Sequence, residues 1–156
     1  MEFVSCEQLR DRLTGALIGL ARAADGSEHL ITPSVTKVIV DGLAATMSEN
    51  CENGVLEALI FRADAEKREM VPNCFTCAMP CGRTSDYDMQ KLYSDPTDIR
   101  QMKEQILHGI RSMAAKSDCS REMERFFYKA LFAIGMDDFS EAELQPVIAE
   151  MKNFSK

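Results

Sequence analysis

The sequence predicts an all-α fold, a helical bundle of two similar three-helix units joined by a cysteine-rich loop. Apolar residues recur at intervals of three and four through most of the chain, which is the spacing of one helix face. Helix-start signals, in which Ser, Thr or Asp is followed by Pro, Glu or Gln, stand before these periodic segments. No segment shows the sustained alternation of apolar and polar residues, bounded by hairpin turns, that predicts strands.

The first two helices have clear start signals. Ser5 and Gln8 form a capping box, in which each side chain accepts from the other residue's backbone N–H, and the helix after it ends before Gly26. Thr32 is the predicted N-cap of the second helix, because a proline follows it at the first helical position. That helix ends near Asn50.

A third helix spans roughly 52–67, and a short helix follows the cysteines. The inward face of the third helix is predicted to comprise Val55, Leu56, Leu59 and Ile60. Ser85 or Asp86 is the predicted cap of the short helix, which runs through Met89, Leu92 and Tyr93.

Three further helices make up the second half. Asp95 is the predicted N-cap of the first, with a proline at the first helical position. Its predicted buried face comprises Ile99, Met102, Ile106, Ile110, Met113 and Ala114. Asp118 is the predicted cap of the next helix, which Gly135 ends. Ser140 opens the last helix in a second capping box, and Pro146 is expected to bend or delay it.

The two halves resemble each other in sequence. Aligning residues 41–46 with 129–134 also places Val35 on Met123, Val38 on Phe126, Leu56 on Leu144 and Ile60 on Ile148. The prediction is one helical domain over 1–156, with three-helix units at 1–70 and 95–156 and the cysteine loop and short helix at 71–94. A unit of about 60 residues is marginally stable alone, so the units are expected to pack together. The alternative is a chance match between helical patterns.

The densest chemistry lies in the loop that carries Cys74, Cys77 and Cys81 in the pattern C-x2-C-x3-C. Thiolates bind soft metals and the irons of iron–sulfur clusters. Pro80 and Gly82 flank the last cysteine and suit a turning backbone. The pattern predicts that these three cysteines bind a metal or an iron–sulfur cluster.

Three interpretations of the loop remain open at this point. Three clustered cysteines suit a cubane 4Fe-4S cluster whose fourth iron has a distant ligand or an open position. A structural zinc site is the second, although it normally takes four protein ligands in two separated pairs. In the third the loop binds no metal, and the cysteines are small apolar residues.

The fourth ligand is not evident from the sequence. If the helices alternate in direction, Cys6, Cys51 and Cys119 lie at the end of the bundle opposite the cysteine loop. His29 would lie at the same end as the loop, which makes a weak case for it. His108 is interpreted as a polar-face residue inside a helix.

Three cations close to the loop, Lys67, Arg68 and Arg83, could offset the negative charge of thiolates or a cluster. For Lys67 and Arg68 an ordinary solvated helix face is the favoured interpretation.

Composition narrows the function classes. The net charge of -7 and the absence of a basic stripe argue against nucleic-acid binding. We find no signal peptide and no transmembrane span, so a cytoplasmic protein without a membrane partner is expected. In a reducing compartment, clustered cysteines bind metal more often than they form disulfides.

Several segments resemble one known family. Residues 81–84, Cys-Gly-Arg-Thr, followed by Gln90 and Leu92, are similar to the end of the N-terminal cluster motif of the hybrid cluster protein (hydroxylamine reductase) family, C-G-K-T and then L-Q-x-L. Residues 98–115 resemble the family helix D-I-R-S-L-K-x-L-I-L-Y-G-L-K-G-M-A-A. Residues 127–131 and 43–50 resemble two further segments of the family.

The resemblance implies that Cys74, Cys77 and Cys81 are ligands of a cubane cluster in a helical domain that carbon monoxide dehydrogenases share. This chain departs from the family, which uses four cysteines with longer gaps and places no helical unit before them. It also lacks the large α/β domains of the reduction chemistry, so hydroxylamine reductase activity is not expected from this chain alone.

The predicted function is that of a small iron–sulfur protein in electron transfer or redox sensing, acting with a redox partner protein or as a homodimer. The alternative is a metal-free or zinc-bound helical interaction module without catalytic activity. An enzyme would need acid or base groups near the loop, for which His29, Asp86 and Asp88 are the candidates.

Overall fold

The computed structural model describes residues 5–24, 28–47, 53–70, 87–116, 119–136 and 138–154. Across these ranges the chain forms seven α-helices and one 3-10 turn, Glu28–Leu30, and no strand. The α-helices are α1 (Cys6–Ala24), α2 (Pro33–Met47), α3 (Asn53–Met70), α4 (Met89–Ser94), α5 (Thr97–Ala115), α6 (Arg121–Gly135) and α7 (Glu141–Phe154). The predicted all-α class is confirmed.

The first two helices begin as predicted. The Ser5 N–H donates to Gln8 Oε1 at 2.9 Å, and the Gln8 N–H donates to Ser5 Oγ at 3.2 Å. Before α2, Thr32 Oγ1 accepts from the Val35 N–H at 3.2 Å. These side chains satisfy backbone donors that have no partner inside the first helical turn.

The residues that cap α4 and α6 differ from the predicted ones. Asp88 caps α4 by accepting from the Gln90 N–H at 2.9 Å. Ser120 caps α6 by accepting from the Met123 N–H at 3.1 Å. The predicted caps Ser85, Asp86 and Asp118 lie outside the described residues.

The predicted cap of α5 is wrong for a tertiary reason. The helix begins at Thr97, and its N-cap is Pro96, without a side-chain cap bond. Asp95 instead accepts from Lys103 Nζ at 3.0 Å. Lys103 is fully buried, and a buried charge requires a partner more strongly than a helix end requires a cap.

Two expectations, one about the buried face of α3 and one about the start of α7, need correction. Val55, predicted to face inward, is 47% exposed, whereas Leu56 and Leu59 on the same helix are buried. Leu56, Leu59 and Ala63 follow one helical stripe, and Val55 lies beside it. Pro146 lies inside α7 without delaying its start at Glu141.

The contacts between helices in the first half are repeated between the corresponding helices of the second half. In the first half α1 packs on α2 and α3, and in the second half α5 packs on α6 and α7. Between the halves α1 packs on α6 and α2 packs on α5. The core therefore runs through both halves, and α1 is buried along most of its length.

The direction of α3 determines the end of the bundle at which this helix ends and the chain continues toward the cysteines. Ser34 Oγ donates to Glu66 Oε1 at 2.7 Å, and Arg62 pairs with Asp41 at 3.6 Å. The start of α2 thus lies beside the end of α3, and the two helices are antiparallel. The chain enters the cysteine loop at the end of the bundle that carries the 3-10 turn.

A search of the described helices for a stretch of sufficient length and hydropathy to cross a membrane finds none.

Candidate functional site

The predicted ligands Cys74, Cys77 and Cys81 lie outside the described residues, as does Arg83. We call residues 71–86 the cysteine segment. In the described ranges no group of three or more His, Cys, Asp or Glu side chains is arranged to hold a metal ion. The structure does describe the two places where the cysteine segment joins the bundle, at the end of α3 and at Tyr87.

His29 lies near the first of these places. It is exposed and lines an open cavity of about 560 Å³ together with Ala65, Glu66 and Glu69. Glu69 belongs to the last turn of α3. His29 therefore lies at the end of the bundle where the cysteine segment begins, as the alternation of helix directions predicts.

Lys67, in the last turn of α3, departs from expectation. A solvated side chain was predicted, but the Lys67 side chain is only 8% exposed and pairs with Asp64 at 3.3 Å. Because α3 extends to Met70, Lys67 falls four residues after Ala63 on the buried stripe. Arg68 is exposed, as predicted.

Tyr87, the first described residue after the cysteine segment, contacts the middle of α1. The Tyr87 N–H donates to the Gly15 carbonyl at 3.1 Å, and Tyr87 is buried. The Tyr87 carbonyl oxygen occupies the position that a Cβ of residue 15 would take. Only glycine permits this contact between the two backbones.

Hydrogen bonds from α4 and α5, the two helices that follow Tyr87, join them to α1. The Tyr93 hydroxyl of α4 donates to Asp11 Oδ1 at 3.0 Å. Partial burial, with the negative charge of Asp11, raises the pKa of Tyr93 to about 12. Arg111 Nη2 of α5 donates to Thr14 Oγ1 at 2.7 Å, and burial lowers the pKa of Arg111.

No sequence motif points to Gly15 or Tyr87. The only signal for Gly15 in the sequence is a glycine inside a long helix, where it lowers helix propensity. Its partner could not be found from sequence, because the contact joins residues far apart in the chain.

The described cysteines differ in state. Cys6 is disulfide-bonded, so it supplies no thiolate ligand, and a disulfide departs from the reducing compartment that was expected. Cys119 is a half-buried thiol outside any disulfide, and it donates to the Met113 carbonyl at 3.6 Å. His108 is exposed, as expected of a polar-face residue, and Asp88 serves as the α4 cap.

Comparison with known proteins found neither a protein-family model that matches this chain nor a significantly similar curated protein.

Proposed function

We propose that this protein is a small iron–sulfur protein that transfers electrons or senses redox state, with Cys74, Cys77 and Cys81 as cluster ligands. The observation that carries the proposal is the C-x2-C-x3-C pattern flanked by Pro80 and Gly82. Three thiols in one turning loop suit three corners of a cubane 4Fe-4S cluster.

The attachment of the cysteine segment supports the proposal. It begins at a packed helix, α3, and ends at Tyr87, whose backbone bonds that of Gly15. Attachment at both ends reduces the conformational freedom of the chain between them, which lowers the entropy cost of bringing three thiols to one cluster.

A buried cation supports it as well. A cubane cluster with thiolate ligands carries net negative charge, and Lys67, whose ammonium group already pairs with Asp64, lies in the last turn of α3, ahead of Cys74. A lysine in a poorly solvated position interacts more strongly with nearby negative charge than a solvated one. We infer that the protein meets its redox partner protein, or a second copy of itself, on its surface.

The proposal is tested by anaerobic purification followed by quantitation of iron, sulfide and zinc and by a visible absorption spectrum. The wild-type protein is expected to be brown, with near-equal iron and sulfide. Cys77→Ala is expected to lose the cluster. Cys119→Ala is the matched control, because it removes one thiol that is not disulfide-bonded from the connection between α5 and α6 and is expected to leave the iron content unchanged.

A colourless protein that contains zinc or no metal after anaerobic reconstitution would refute the cluster. The better account would then be the metal-free or zinc-bound helical interaction module. Turnover of hydroxylamine with a reduced dye, present in wild type and absent in Cys77→Ala, would instead show an enzyme with an open cluster iron.

A further inference from the structure

One Asn-Gly pair occurs in the sequence, at Asn53 and Gly54. The backbone nitrogen of the residue after an asparagine can attack the asparagine side chain and close a five-membered succinimide ring. Glycine favours this attack, because it has no Cβ to block the approach and its backbone adopts conformations that other residues avoid. In a folded protein the reaction also requires that the glycine nitrogen is able to reach the side chain.

The pair lies at the start of α3, where the glycine nitrogen is not held by the helix. Asn53 and Gly54 are the first two residues of α3. The first four N–H groups of a helix have no acceptor within that helix. Both residues are exposed, and no described atom lies within 4 Å of the position that a Cβ of Gly54 would take. The surroundings of Gly54 therefore leave room for ring closure.

A second pair with related chemistry, Asp41 and Gly42, is protected by its place in the fold. An aspartate before glycine can form the same ring. This pair lies inside α2, where backbone N–H groups donate to the carbonyl four residues earlier. Gly42 is buried against Leu17, and Asp41 pairs with Arg62 at 3.6 Å. The remaining pair of this kind, residues 25–26, lies outside the described residues.

We propose that Asn53 is a site of spontaneous deamidation, in which water replaces ammonia. The Gly54 nitrogen bonds to Asn53 Cγ, the bond from Cγ to the amide nitrogen breaks, and the Gly54 proton leaves with the ammonia. Water then opens the ring at one of its two carbonyls, which gives aspartate or isoaspartate. Neither oxidant nor metal takes part, so the inference does not depend on the proposed cluster.

The two products should affect the start of α3 differently. Aspartate adds a negative charge at the N-terminus of the helix, where the helix dipole favours it. Isoaspartate places its Cβ in the main chain, so the backbone is longer by one atom and no longer fits the first helical turn. Leu56 is buried in the core and holds this turn in place. We therefore expect the isoaspartate form to loosen the first turn of α3 and to leave the rest of the bundle unchanged.

The test is incubation of the folded full chain in neutral and in mildly alkaline buffer, followed by mass mapping of the tryptic peptide 38–62. We expect this peptide to gain the mass difference between an amide and a carboxylate, with fragmentation placing the change at Asn53. The conversion should be faster in alkaline buffer, because the attacking nitrogen must lose its proton. Chromatography separates the aspartate and isoaspartate forms of the peptide.

One variant and one control within the molecule locate the reaction. Gly54→Ala places a methyl group in open space, so the helix is retained, and conversion at Asn53 should be lost over the period in which half of the wild type is converted. Asn153 is likewise exposed and helical, but Phe154 follows it, and the Phe154 ring packs on Phe126 with centroids 5.3 Å apart. Asn153 should therefore keep its amide.

Hydrogen exchange in the first turn of α3 is a second readout. It should be faster in the isoaspartate form than in wild type, and Asn53→Asp, which reproduces the other product, should exchange no faster than wild type. Three results would overturn the proposal: no conversion at Asn53 in the folded chain, conversion of Gly54→Ala at the wild-type rate, or equal conversion at Asn53 and Asn153.

Discussion

The buried pair of Lys103 and Asp95 shows how a single charge can reorganise its neighbourhood. Lys103 is fully buried, and its ammonium group donates both to Asp95 and, at 3.2 Å, to the Met136 carbonyl. These contacts connect the segment before α5 with the residue after α6. A carboxylate that would otherwise cap a helix is therefore used to neutralise a charge in the core.

Removing the carboxylate should cost more than removing the lysine. We expect Asp95→Ala to lower the free energy of unfolding by about 3 kcal/mol, because it leaves a buried ammonium without a counter-ion. Lys103→Met should cost about 1 kcal/mol, because methionine fills similar space and Asp95 is 19% exposed and retains contact with water. Urea unfolding monitored by circular dichroism measures both.

The double variant Asp95→Ala/Lys103→Met supplies the decisive comparison. It should be more stable than Asp95→Ala alone, because the uncompensated charge is gone. Glu104→Ala, which removes one partner of the exposed Arg100–Glu104 pair, is the control and should change stability by about 0.5 kcal/mol or less. A double variant less stable than Asp95→Ala would contradict this account of the pair.

At the scale of elements, α1 supports Tyr87, the first described residue after the cysteine segment. The contact between Gly15 and Tyr87 brings backbone against backbone, while Asp11 and Thr14 bind side chains from α4 and α5. All three lie within one stretch of α1, so one helix positions the chain after the cysteines. Any shift of Tyr87 would move the end of the segment that carries the proposed ligands.

A methyl group at residue 15 should displace Tyr87. We expect Gly15→Ala to lower the free energy of unfolding by about 1–3 kcal/mol, because the new Cβ meets a backbone atom that cannot rotate away. Hydrogen exchange at the Tyr87 N–H should become faster, because its bond to the Gly15 carbonyl is lost.

Gly54→Ala is the matched control for Gly15→Ala. Nothing lies within 4 Å of a Cβ at residue 54, and the residue is helical and exposed. Helix propensity alone should then raise stability by up to about 1 kcal/mol. Gly15→Ala as stable as Gly54→Ala, with unchanged exchange at Tyr87, would show that the close contact is not required.

At the scale of the whole molecule, the described helices form one continuous core. The contacts of α1 with α6 and of α2 with α5 cross between the halves. Neither half can bury its apolar faces without the other, which favours cooperative unfolding of the described bundle as one unit.

Truncating a fully buried side chain in either half should therefore affect the same unfolding transition. Leu17 and Ile110 are both fully buried, on α1 and α5. We expect Leu17→Ala and Ile110→Ala each to lower the free energy of unfolding by about 2–5 kcal/mol. Circular dichroism and tyrosine fluorescence should give coincident single transitions, whereas two separate transitions in either variant would contradict one cooperative unit.

Local rules predicted much of the fold because they depend on residues close in sequence. The capping box of Ser5 and Gln8 and the Thr32 cap involve neighbours three residues apart, and both are confirmed. The same rules were wrong for Val55 and for Asp95. The first depends on which helices cover α3, and the second on a buried charge eight residues away.

The features of the candidate site also divide into those that the sequence predicts and those that depend on packing between distant segments. The cysteine pattern and the proposed ligands Cys74, Cys77 and Cys81 come from sequence alone, and they remain a prediction that metal analysis must test. The contact of Tyr87 with Gly15 could not be predicted, because the two residues are far apart in the chain and meet only when the helices pack.

The sequence by itself determined the helical class, most of the helix positions and the spacing of the cysteines, because each follows from interactions within a few residues. Only the tertiary structure decided that Lys67 and Lys103 are buried and that Tyr87 rests on Gly15. Those features depend on packing between distant segments, where desolvation and steric contact override the local preferences of each residue.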